Sequence, residues 1–87
     1  MELKLCESID DCVKELDGYT GYGDMVIEAQ THLKRLKEII LDPTPAGIEE
    51  GIELSKTLKS RISPYYSYVP RVAITSQKIV DWMETHA

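Results

Sequence analysis

Phenylalanine is absent and tryptophan occurs once, so five of the six aromatic side chains are tyrosines. The apolar interior must therefore come from Leu, Ile, Val and Met. Cysteine is scarce: Cys6 and Cys12 fall in one expected helix, about 9 Å apart along its axis, too far for a disulfide. Two thiols without clustered histidine make no zinc site, and they read as small buried hydrophobes. The only histidines, His32 and His86, form no ligand pair, so no metal and no cofactor is expected. No apolar run approaches the roughly 18 residues that span a bilayer. The opening Met1-Glu2-Leu3-Lys4-Leu5 lacks the basic flank and apolar core of a signal peptide, so a cytoplasmic location away from membranes is expected. A basic excess is also missing. The net charge of −5 excludes duplex nucleic acid, which needs a cationic face to displace counterions.

What is present is helical periodicity, broken by glycine and proline. The 87 residues make one domain, residues 1–87. A chain this short buries only about 60 to 65 % of its unfolded surface. In residues 8–17, Ile9, Cys12, Val13 and Leu16 recur at helical spacing behind a potential N-cap at Ser8, and Gly18 ends that helix. Leu3 and Leu5 alternate like a strand, so the preceding "ELKL" reads equally as a backward extension or as an extended lead. Asp24 is the expected cap of a second helix, whose Val26, Ala29, Leu33, Leu36 and Ile40 form a heptad seam. "LDPTP" stops it, and Thr44 as cap with Pro45 at the first position starts a third helix over residues 45–62. Gly47, Gly51 and Ser55 form a small-residue strip on that helix, read as a close-packing surface or as a groove for a ligand or a partner helix. Ser63-Pro64 ends it or opens a short turn. Pro70 begins a fourth helix, or kinks a longer one that starts at Pro64, carrying Val72, Ser76, Ile79 and Met83. The fold expected is an all-α, up-down four-helix bundle with a short first helix. Two complete seams in so small a chain also predict a homo-oligomer joined through the second or fourth helix.

Charge is polarised along the chain. Residues 1–31 hold eight acids against Lys4 and Lys14, a balance of −6, while the remainder balances at +1. Glu7, Asp11 and Glu15 form an acidic stripe on the first helix, expected to face Lys34, Arg35 and Lys37 or Lys56 and Lys59, or a basic partner. Glu28 is the expected partner of His32.

"YTGYGD", residues 19–24, alternates glycine with tyrosine. As a phosphate cradle it fails, because it ends in a carboxylate rather than in Lys or Ser/Thr. As a turn it works, with Gly18, Gly21 and Gly23 free to take positive φ. No nucleophile sits on an elbow and no catalytic constellation stands out, so no enzyme is expected. All five tyrosines lie in two interhelical segments, Tyr19 and Tyr22 in the first, Tyr65, Tyr66 and Tyr68 in the third. An up-down bundle brings these connections to one pole, near Arg71. Tyrosine gives large contact area with a polar tip at little entropic cost, which suits a recognition surface. These six residues are the candidate binding site, the alternative being that the tyrosines form a small core that caps the bundle end. The expected function is a small intracellular binding protein, an adaptor, inhibitor, immunity or chaperone-like subunit acting on a protein partner. The alternative is a protein, such as a phage or mobile-element accessory protein, that sequesters an anionic small molecule or nucleotide against the tyrosines and Arg71.

Overall fold

In the computed structural model, which describes residues 2–87, four helices follow one another: α1 (Glu2–Asp17), α2 (Asp24–Leu41), α3 (Pro45–Ile62) and α4 (Pro70–Thr85). Short 3₁₀ turns, Thr20–Tyr22 and Ser63–Tyr65, precede α2 and follow α3. Each helix packs on its neighbour in sequence and α4 returns against α1, closing an up-down bundle of 35 × 21 × 19 Å. No strand occurs among the described residues.

The first helix is longer than expected. It runs back to Glu2 and matches α4 at 16 residues, so Ser8 is interior rather than a cap. The reason is the spacing of its buried positions. Leu5, Ile9, Cys12 and Leu16 form one continuous helical stripe, all at most 9 % exposed. The Leu3–Leu5 alternation carries no strand. Met1 lies outside the described residues.

The α2–α3 corner forms as its prolines dictate. Pro45 takes the first helical position, and the Thr44 hydroxyl accepts a hydrogen bond from the Gly47 amide at 3.0 Å. Gly47 is required by that cap, because a Cβ there would stand 2.9 Å from Thr44 Oγ1. Gly47, Gly51 and Ser55 are all buried, and a Cβ on Gly51 would lie 2.5 Å from Met83 Sδ. The strip is thus a close-packing surface, on which Gly51 receives Met83 of α4 and Gly47 faces Ile39 of α2. The buried hydroxyls there are satisfied locally, Ser55 donating to the Ile52 carbonyl at 3.1 Å and Ser76 to that of Ala73 at 2.7 Å.

Both heptad seams face inward. Leu33, Leu36, Val72, Ile79 and Met83 are fully buried, and Val26, Ala29 and Ile40 nearly so. One chain covers the stripes whose excess suggested an oligomer, so that ground for self-association through α2 or α4 falls away.

The glycine turn is more economical than expected. Among its glycines only Gly23 has positive φ, at 122° with ψ 178°, a region open essentially to glycine alone. Gly23 is also the N-cap of α2. Asp24 is the first helical residue and forms no side-chain cap. A Cβ on Gly21 meets nothing within 4 Å. Gly23→Val should therefore cost about 1 to 3 kcal/mol, whereas Gly21→Val should stay within roughly 0.5 kcal/mol of the wild type. Paired urea melts check this, and equal losses would mean the turn needs both glycines.

The ion pairs join helices differently from the sequence expectation. Lys37 Nζ meets Asp10 at 2.9 Å, and Arg61 Nη1 meets Glu28 at 2.8 Å, so Glu28 serves α3 rather than His32. Arg35 grips both oxygens of Glu50, at 2.7 and 2.8 Å, and that hydrogen bonding holds the carboxyl below its ordinary range. The acidic stripe turns toward α4. Asp11 and Glu15 share a cleft with Arg71 and Lys78, not with the lysines of α2 or α3.

Candidate functional site

Four helix ends meet at the pole formed by the two 3₁₀ turns. Leu16 ends the buried stripe of α1, Val26 begins that of α2, Ile62 closes α3, and Val69 precedes α4. Each is at most 8 % exposed, and together with Met25 they form the floor of a pocket of about 410 Å³. Tyr19, Tyr22, Tyr65 and Tyr68 complete its wall. The 3₁₀ turns place these rings: Tyr19 and Tyr22 are linked by a backbone bond, Tyr22 amide to Tyr19 carbonyl at 2.9 Å, and the Tyr68 amide donates to the Tyr65 carbonyl at the same length. The Tyr19 and Tyr22 rings are 5.8 Å apart between centroids and tilted by 45°. Below them Gln30 ties α1 to α2, donating from Nε2 to the Val13 carbonyl at 2.9 Å and to Asp17 Oδ1 at 2.7 Å.

Four of the six expected site residues are thus brought together. The other two are not. Tyr66 lies in the α3–α4 groove with Lys59 and Ile74, and Arg71 lines the α1–α4 cleft with Asp11 and Glu15. Arg71 stands in the first turn of α4, one residue before the core position Val72, and that register directs it to the α1 flank. Its carbonyl oxygen lies 3.8 Å from the Cys12 thiol.

Leu16 and Val26 read from the sequence as apolar positions of the helical seams, and Val69 carries no local signal of a site. They were findable by topology, since the last apolar residue of α1 and α3 and the first of α2 and α4 must share a pole.

No charged side chain lines the pocket, nor does a histidine or thiol. What it offers is apolar surface, tyrosine π faces and phenolic hydroxyls. Elsewhere, burial pushes the Cys12 thiol up, away from the reactive thiolate. Both cysteines are buried and form no disulfide. His86 stacks on Trp82 with centroids 3.9 Å apart, remote in sequence from the pocket residues. Among the described residues no three His, Cys, Asp or Glu side chains are grouped to hold a metal ion, and no helix is long and apolar enough to cross a membrane.

No protein-family model matches the chain, and no curated protein or solved structure is significantly similar to it.

Proposed function

We propose that the chain is a non-enzymatic binding protein that recognises a protein partner through its tyrosine pole. The observation that carries this reading is the uncharged pocket of about 410 Å³, with a buried apolar floor and four tyrosines around it. Its volume suits one large side chain or a small ligand, near the lower end of the roughly 300 to 1,000 Å³ of ligand pockets. Tyr22 is 81 % and Tyr68 71 % exposed, an unusual placement for large aromatic surface unless something covers it. A partner inserting a side-chain anchor between them would desolvate the rings and leave their hydroxyls to rim hydrogen bonds, the pattern of an interface hot spot. The buried thiols fit a reducing compartment, and we place the role in the cytoplasm. The anion-sequestering alternative has less support, because its cation, Arg71, faces Asp11 and Glu15 instead.

The test is comparative capture. Tyr22→Ser with Tyr68→Ser should fold with a melting temperature near that of the wild type, since both rings are mostly exposed, yet lose partners that the wild type retains from a native lysate. The expected loss is about 2 kcal/mol or more per anchoring tyrosine. Tyr66→Ser, outside the pocket, should retain them. Identical capture by all three proteins would overturn the proposal.

A further inference from the structure

We infer that the tyrosine pocket receives a methylated ammonium group, a reading that rests on the pole being a recognition site and names what it recognises. Four electron-rich rings line one concavity, and a cation placed over a tyrosine face is attracted by the ring quadrupole. The charges around the pocket point the same way. Asp17 follows the floor residue Leu16 and Asp24 precedes Met25, and both are exposed. Lys14, two residues before Leu16, is exposed on α1 outside the pocket lining, and the other cations nearest in sequence are committed elsewhere. Arg61, beside Ile62, is paired with Glu28 at 2.8 Å, and Arg71, two residues from Val69, shares its cleft with two carboxylates. Residues 1–31, which supply Leu16, Tyr19, Tyr22, Met25 and Val26 to the pocket, balance at −6. An anion would find no cation in the pocket lining, and a neutral guest would gain only from burial.

The apolar floor favours a methylated over a bare ammonium group. A bare ammonium is a compact, strongly hydrated charge that gives up its water reluctantly. Leu16, Met25, Val26, Ile62 and Val69 offer it no compensating acceptor. Methyl groups spread the charge and present apolar surface to that floor while the rings take the positive shell. The same chemistry occurs on a free quaternary ammonium compound and on a trimethylated lysine side chain of a protein, and a pocket open at its rim admits either.

The experiment compares choline with 3,3-dimethylbutan-1-ol, its uncharged carbon isostere, by amide NMR titration of the intact protein. Choline should shift resonances of residues 16–26 and 62–69 and bind roughly three- to five-fold tighter than the alcohol, the gain expected of a cation at a partly exposed aromatic site. Tyr22→Leu with Tyr68→Leu should remain folded and abolish the preference. A peptide carrying trimethyllysine identifies the source: tighter binding than choline assigns the group to a partner's side chain, weaker binding to a free molecule. The inference is overturned if the alcohol binds as well as choline. It is equally overturned if neither shifts the pocket resonances at roughly 50 mM, well above the millimolar range expected of so small a ligand. Should that happen while lysate capture still depends on Tyr22 and Tyr68, only the ligand class fails and the binding role stands.

Discussion

Leu36→Glu should leave no folded bundle. Leu36 sits at the middle of the α2 seam with its side chain fully buried, and replacing it removes leucine burial worth about 2 to 5 kcal/mol. The carboxylate then either remains charged without a partner or takes up a proton at a raised pKa, and each course costs several kcal/mol more. The buried polar residues of this core are Gln30, Ser55, Thr75 and Ser76, none of them a cation that could pair with it. Against a total stability of about 5 kcal/mol for so small a domain, the sum is decisive. Circular dichroism should show loss of cooperative melting and most of the helical signal. Leu41→Glu is the control, since Leu41 lies on the same helix but is 60 % exposed and should change stability by no more than roughly 0.5 kcal/mol. A Leu36→Glu protein that still melts cooperatively would place the seam at a surface.

Gly51→Leu should also destabilise, although it replaces the poorest ordinary helix former with one of the best. Propensity favours the change by about 1 kcal/mol. Packing opposes it, because the new Cβ would stand 2.5 Å from Sδ and 2.7 Å from Cε of a fully buried Met83, and three further carbons must follow. Overpacking of that kind costs about 1 to 3 kcal/mol at a well-filled site, and leucine's size puts it at the upper end. The net expectation is a melting temperature lower by roughly 10 °C for a domain of this length. Gly51→Ala should come out nearly neutral, because the end of a methionine can yield to one methyl group. Met83→Ala in the leucine variant should restore part of the loss, a non-additivity that two independent sites would not show. A rise in melting temperature for Gly51→Leu alone would mean that the strip faces open space.

Most of the architecture was legible because local signals and topology agree. Thr44-Pro45 marks the start of α3 through the chemistry of a helix terminus, and Pro70 does the same for α4. The α2 seam names its own buried face. Where the signal was local but ambiguous, it misled. The alternation of Leu3 and Leu5 concealed that Leu5 is four residues from Ile9 and thus in register with the α1 core. Three glycines in one turn suggested three special conformations, yet one positive φ suffices to redirect the chain. The site was half legible. Co-location of the two tyrosine segments follows from the up-down topology, whereas the departure of Arg71 and Tyr66 depends on which way a residue turns within the first turn of a helix or just after a 3₁₀ turn. That orientation is set by packing against α1 and α3, and tyrosine spacing along the chain carries no trace of it.

Two of the three methionines occupy positions that oxidants would distinguish. Met25 lines the open pocket, whereas Met83 is sealed between α4 and the glycine strip of α3. A peroxide pulse followed by peptide mass analysis therefore reads two events from one chain. Sulfoxide at Met25 registers whether the pocket is empty, and sulfoxide at Met83 registers how often α3 and α4 part. Once formed, a polar sulfoxide has no room against Gly51, so oxidation at Met83 should prevent the helices from closing again as they were, whereas oxidation at Met25 should spare the fold and blunt recognition.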